Sequence, residues 1–225
     1  MRPVAFAALC LVPLAACEPD AEINPTPVQW MEWPAEVVVA TPFAVRLLVM
    51  QSCAATGFRP GASANESAVT FAPYFLETRS DVLCLQATEL SLSIAPGALD
   101  TVGTAPGLPA DFPRTFEMRA TADVFAAPAA GAAALPVRTF GEVTVRLAAP
   151  DPSRRNAAGR VSLVVESPGC VRIRPYGAYQ PEPSYVLDEP ADTAGVSGAF
   201  VRGYLYEPAA PLCGEARVFH LVSRN

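Results

Sequence analysis

The stretch Thr115–Phe125, TFEMRATADVF, decides how this chain is read: Phe116, Met118, Ala120, Ala122 and Val124 alternate with Thr115, Glu117, Arg119, Thr121 and Asp123. A period of two puts the apolar side chains on one side of an extended strand and the polar ones on the other, as in a strand that covers a core with one face. Working outward, the same period returns at Val45, Leu47 and Val49, at Leu90, Leu92 and Ile94 with serines between, and at Val143, Val145 and Leu147 with Thr144 and Arg146 between. Val69–Leu76 reads as a further strand. Between these runs lie turn-forming stretches, GFRPGASANES, APGALDTVGTAPGLPADFP and FAAPAAGAAALP, the last Ala-rich enough for a short helical turn.

Composition agrees with an all-β chain. The 225 residues include 24 prolines and 14 glycines, spread along the sequence, which removes backbone donors and breaks long helices. All 16 basic residues are arginine, against 22 acidic ones, and a formal charge of −6 argues against a nucleic-acid binder, which needs a basic face. The charge is uneven: residues 18–149 hold 14 acids and 7 arginines, residues 150–225 hold 8 of each.

About seven short strands over residues 30–148 suggest an antiparallel sandwich, and this part resembles an immunoglobulin-like domain in architecture. The order of Trp30, Trp33, Cys53 and Cys84 does not follow the Cys, Trp, Cys order of true immunoglobulin domains. AAPDPSRRNAAG is polar and turn-rich, and predicts a linker over 149–159. Alternation resumes at Val161, Leu163 and Val165, at Val171 and Ile173, at Tyr185–Leu187, at Phe200–Tyr206 and at Arg217–Ser223. Five short strands over 160–225 suit a small barrel, and the pattern resembles an OB-like module of exported bacterial proteins, with one cysteine near the first hairpin and another before the last strand. The expected architecture is therefore an antiparallel immunoglobulin-like sandwich followed by a small OB-like β-barrel.

The head of the chain reads as an address. Arg2 is followed by an apolar run from Val4 to Leu14, broken only by Pro13 and too short to span a bilayer, then by small residues and Cys17. Leu14-Ala15-Ala16-Cys17 resembles the lipobox of bacterial lipoproteins. That resemblance implies removal of residues 1–16, acylation of Cys17, and a lipid-anchored protein of the bacterial cell envelope, facing the periplasm or the surface. Residues 17–29, with Pro19, Pro25 and Pro27, would be an extended tether that lifts the folded part roughly 30 Å from the bilayer. The alternative is an ordinary signal peptide cleaved after Ala16, leaving Cys17 as a thiol or disulfide partner.

Setting aside Cys10 in the signal and a lipidated Cys17, four cysteines remain, Cys53, Cys84, Cys170 and Cys213, an even number suited to two disulfides in an oxidising compartment. Three connectivities are open. Cys53 with Cys84 and Cys170 with Cys213 is favoured, because each pair then falls in one module. The second bridge would be worth roughly 2 to 4 kcal/mol to a small barrel.

No pattern of catalytic residues stands out. His220, the only histidine, lies in a strand-like VFHLV and reads as structural or surface. Gly195-Val196-Ser197-Gly198-Ala199 is a near miss to a nucleophile elbow, which needs a strand before it and a helix after it; here a strand follows. Asp188-Glu189 beside Pro190 reads as solvated loop charge. No phosphate-cradling glycine loop or zinc spacing is present, so neither a metal nor a cofactor is called for. One aromatic and basic collection remains, Tyr176, Tyr179, Tyr185, Arg172 and Arg174 together with Phe200, Arg202, Tyr204 and Tyr206. Alternation places the last four on one side of a strand, a candidate ligand face for a glycan or a protein of the envelope. The expected role is non-catalytic binding or scaffolding at the membrane. The competing reading is an envelope hydrolase built on carboxylates or on Ser197 with His220.

Overall fold

The computed structural model describes residues 22–39, 41–53, 55–59, 61–64, 67–77, 85–94, 113–122, 135–147, 154–176, 183–189, 193–215 and 217–225. The lipobox with Cys17, the Ala-rich stretch 126–134, Cys84 and Tyr179 lie outside the described residues. Among those residues there is no helix, and sixteen strands follow one another. They are β1 (Glu22–Pro25), β2 (Val28–Pro34), β3 (Glu36–Val38), β4 (Phe43–Ser52), β5 (Ala55–Arg59), β6 (Ala62–Ala64), β7 (Ala68–Phe71), β8 (Tyr74–Glu77), β9 (Leu85–Ile94), β10 (Arg114–Thr121), β11 (Val137–Arg146), β12 (Arg155–Ser167), β13 (Cys170–Pro175), β14 (Tyr185–Leu187), β15 (Phe200–Tyr206) and β16 (Val218–Arg224).

Phe116, Met118 and Ala120 of β10 are buried, as their alternation requires. The pattern ends at Thr121 and Ala122, which are both buried; the Thr121 hydroxyl is satisfied by donating to Thr26 O at 3.0 Å. The run Val69–Leu76 is two strands, β7 and β8, separated by Ala72-Pro73. They belong to different sheets.

One sheet has eight strands in the order β13-β14-β16-β15-β12-β2-β4-β9, with β13 also pairing to β12. The thirteen residues of β12 make this possible. Its first half, Arg155–Gly159, carries β15 on one edge and β2 on the other, and its second half, Val161–Ser167, pairs with β13. Strands β12, β13, β14, β16 and β15 thus close into a five-stranded ring, antiparallel throughout except for β14 against β16. This is the OB-like barrel expected at the C-terminal end. Its interior holds Val161, Val171, Ile173, Leu187, Val201, Leu205 and Phe219.

The sandwich forms where β2, β4 and β9 continue the barrel's sheet and face a second sheet, β3-β11-β10-β7-β6. Met31, Trp33, Val45, Leu47 and Val49 pack from one side against Phe71, Phe116, Met118, Phe140 and Val143 from the other. Fully burying each such side chain is worth about 1.5–3 kcal/mol. The second sheet is mixed, because β3 runs parallel to β11 and β7 parallel to β10. Alternation reveals which face is apolar but not strand direction, and parallel partners are distant in sequence. A small antiparallel sheet, β1-β8-β5, completes the fold, so the expected tether over 17–29 does not extend through its second half: Glu22–Pro25 is strand β1, and Thr26, Val28 and Gln29 are buried in the folded part.

The expected linker is in part strand: Arg155–Gly159 pair with both modules. The small residues read as hinge material instead permit close packing. A Cβ on Gly159 would lie 2.1 Å from Gln29 O and 2.8 Å from Trp30 Cα, so only glycine fits. Strand β2 in turn serves both cores. Met31 and Trp33 face the sandwich, while Trp30 enters the barrel cluster, with ring centroids 5.8 Å from Tyr185 and 5.7 Å from Phe219.

Beside Trp30 lies Glu32, whose side chain is 2% exposed. Its carboxylate accepts hydrogen bonds from Trp30 Nε1 (3.1 Å), Arg46 Nη1 (3.2 Å) and the Tyr185 hydroxyl. Three donors from three strands compensate a charge that would otherwise be expensive to bury. Burial first, and the Glu32 carboxylate second, push the Tyr185 phenol well above its ordinary value.

Cys170 and Cys213 are disulfide-bonded, as expected, with Cα atoms 6.0 Å apart. Cys53 is also disulfide-bonded, while Cys84, its expected partner, lies outside the described residues.

Candidate functional site

Along β15 the side chains of Val201 and Leu205 point into the barrel, and Phe200, Arg202, Tyr204 and Tyr206 point out of it. Gly203 faces inward between them. A Cβ there would meet the Phe219 ring at 2.5 Å and His220 O at 2.0 Å, so glycine lets β16 close on β15. The register shift between Arg202 and Gly203 brings His220 opposite Tyr204.

The four residues of the expected ligand face have different surroundings. Phe200 is buried at the rim of the sandwich core, edge-on to Phe140 with centroids 5.1 Å apart. Arg138 and Arg202 cover it, with Cζ atoms 4.6 and 5.8 Å from its centroid. Arg202 Nη2 donates to Thr139 O at 2.8 Å, tying β15 to β11, and its buried Nε has no hydrogen-bond partner. Tyr204 lies under Arg154, whose Cζ is 4.1 Å from the ring centroid, and beside His220 and Tyr206, at 4.8 and 5.8 Å between centroids.

Asp188 joins this group. Its Oδ2 accepts from the Tyr206 hydroxyl at 3.1 Å and lies 2.8 Å from His220 Nδ1. A carboxylate only accepts, so the imidazole proton sits on Nδ1 and Nε2 faces away from the acid. Partial burial and this carboxylate raise the Tyr206 phenol above its ordinary value. The side chains of His220 and Asp188 are 29% and 14% exposed, which leaves the imidazole open to a ligand.

Asp188 is thus not a solvated loop charge but half of a polar pair. The parallel register of Leu187 with Phe219 places it there, and no local pattern announces that pairing. The rest of the collection is dispersed. Tyr185 is inside, bonded to Glu32. Tyr176 is exposed near Arg160, and Arg174 is half-buried on β13. Arg172 is an ion-paired staple: its Nη1 is 2.8 Å from Glu215 and its Nε 2.7 Å from Glu166. These bonds raise its pKa further and hold the turn before Cys170 against the loop carrying Cys213.

The Asp188–His220 pair has the form of the orienting acid and base of a nucleophilic triad. Ser197 does not supply the nucleophile. It is exposed in a turn between Gly195 and Gly198, both at positive φ, with Gly198 N bonded to Val161 O. His220 is opposite Tyr204, and the four residues from Phe200 to Tyr204 span about 13 Å, so the serine is beyond hydrogen-bond reach.

Among the described residues, no group of three or more histidine, cysteine, aspartate or glutamate side chains could hold a metal ion. Chemically, the face offers aromatic surface, an imidazole, a phenol and guanidinium donors, the set that packs against sugar rings and hydrogen-bonds their hydroxyls. No protein-family model, no curated protein and no solved structure matches the chain.

Proposed function

We propose that this chain is an exported, lipid-anchored protein of the bacterial cell envelope whose folded part works without catalysis, by binding an envelope glycan on the outer face of β15 and β16. The observation that carries the binding half is the gathering of Tyr204, Tyr206, His220 and Asp188 on one partly exposed face. Tyr206 contributes ring surface, and His220 Nε2 a polar contact for a sugar hydroxyl. The OB-like barrel is an architecture that accommodates oligosaccharides. The address half rests on Leu14-Ala15-Ala16-Cys17, and the disulfide chemistry is consistent with an oxidising compartment.

Two experiments test the halves separately. Labelling of growing cells with an alkynyl fatty acid is expected to mark the full chain and to vanish in Cys17→Ser; equal labelling of both refutes the anchor. Pull-down on purified envelope glycans is expected to retain the wild-type chain and lose Tyr206→Ala, with the disulfide-bonded fold checked by circular dichroism. Equal retention of the variant refutes this face as the binding surface.

A further inference from the structure

Asp188 does more to the candidate face than hold one imidazole in place. Its Oδ2 accepts the hydrogen bond of the Tyr206 hydroxyl at 3.1 Å and, 2.8 Å from His220 Nδ1, that of the imidazole as well. A phenol has a single O–H, and a neutral imidazole a single N–H. One carboxylate oxygen therefore occupies both of the donors that these two side chains have. What they present outward is the lone pairs of Tyr206 Oη and His220 Nε2, two acceptors and no donor.

The two acceptors belong to one site. Both side chains are bonded to the same oxygen atom, both are partly exposed, and the Tyr204 ring lies beside each of them. Three neighbouring strands hold the arrangement: Tyr206 ends β15, His220 is on β16, and Asp188, directly after β14, is fixed by its own N–H donating to Phe219 O at 3.3 Å. A site made of acceptors requires a ligand that brings the donors. The surroundings limit its charge from both directions. Glu189, exposed beside Asp188, and Glu207, exposed beside Tyr206, disfavour an anion. Arg154, with its Cζ 4.1 Å from the Tyr204 centroid, already takes the cation's place on that ring and disfavours an ammonium group.

We infer that the face recognises an uncharged sugar through two free hydroxyls that both act as donors, one to Tyr206 Oη and one to His220 Nε2, with Asp188 as the positioning residue that makes both atoms acceptors. The inference rests on the glycan-binding reading and adds its ligand class: a neutral saccharide, unsubstituted at the hydroxyls that meet this pair. Methyl ethers in their place would set lone pairs against lone pairs, and a polar site left unpaired in this way discriminates sharply.

The test has a spectroscopic and a calorimetric arm, both on the full-length chain. His220 is the only histidine, so isotopic labelling of histidine nitrogen reports this ring alone. At about pH 8, where an ordinary imidazole is neutral, the resonances are expected to show a protonated Nδ1 and a bare Nε2, and Asp188→Ala to shift the proton toward Nε2. Calorimetric titration uses cellotriose, maltotriose and triacetylchitotriose, their fully O-methylated forms, trigalacturonate as an acidic trisaccharide and kanamycin as an ammonium-bearing one. Binding of a neutral trisaccharide that drops about tenfold or more on methylation, and about tenfold in Asp188→Ala and in Tyr206→Phe, supports the inference. Circular dichroism checks each fold; if Asp188→Ala does not fold, the wild-type tautomer and the methylation comparison decide alone. A wild-type proton on Nε2, equal binding of free and methylated sugars, unchanged affinity in a folded Asp188→Ala, or a preference for either charged trisaccharide overturns the inference and leaves the glycan reading standing. Absence of binding to every probe overturns both.

Discussion

Replacing Tyr185 with phenylalanine removes one hydroxyl from the junction of barrel and sandwich and isolates the role of the buried Glu32. At pH 7 the carboxylate keeps its bonds from Trp30 Nε1 and Arg46 Nη1 and loses one donor. A hydrogen bond to a charged group is worth about 1.5–3 kcal/mol, and that is the expected loss. The pH dependence is the sharper signature. In the unfolded chain the phenol ionises near pH 10, whereas in the folded chain burial and Glu32 hold it protonated to higher pH. Above about pH 10 the unfolded state therefore binds fewer protons than the native one, and stability falls with rising pH by up to about 1.4 kcal/mol per unit. The stabilising contribution is complete below the unfolded value and is lost on the way to the raised folded one. The chain has no lysine, so tyrosines dominate this window; Tyr206, also raised, contributes the same sign in both proteins. The stability gap between wild type and variant should thus be constant to about pH 10 and close between about pH 11 and 12. Urea unfolding followed by the emission of the two buried tryptophans measures it. A gap that stays constant to pH 12, or no gap at pH 7, refutes the account of Tyr185.

The Cys170–Cys213 bridge closes a sequence separation of 43 residues, for which chain entropy gives about 4 kcal/mol; the double serine variant should lose up to that amount, read from its urea midpoint, and an unchanged midpoint would show that the Arg172 ion pairs alone hold the barrel end. Gly159→Ala should lose about 3 kcal/mol or more, because its Cβ would collide with the backbone of β2 at 2.1 Å; a variant with native stability would show that β2 does not pack against β12.

The elements legible in the sequence are those whose signal is local. Alternation in β4, β9, β10 and β11 follows from one buried face, and five spaced runs near the end suffice for a barrel. The functional face was half legible for the same reason: Phe200, Arg202, Tyr204 and Tyr206 share a side of one strand. What local pattern does not carry is pairing between distant segments. Asp188 and His220 are 32 residues apart and meet only through a parallel register, and Arg138 reaches Phe200 only because two sheets face each other. The segment 154–159 misled for a different reason. Small, polar residues are common both in hinges and at sites of closest strand packing, and composition does not separate the two.

That segment also explains why the candidate site lies where it does. An isolated five-stranded barrel has its own core and needs no neighbour, but here β12 carries β2 on its free edge, so Trp30 fills barrel space and the sandwich sheet is continuous with it. The second sheet then packs across this shared surface, and backbone carbonyls of β11 accept hydrogen bonds from residues of both parts: Glu142 O from Trp33 Nε1 and Asn156 Nδ2, Thr139 O from Arg202 Nη2. At the start of β11, Arg138 stands over Phe200, as does Arg202 of β15, while Arg154 stands over Tyr204 further along β15. A barrel expressed without β11 would keep Tyr204, Tyr206 and His220 but lose the Thr139 O acceptor that holds Arg202, so the ordering of the face is a property of the fusion, which gives the shared strand β12 a reason beyond stability.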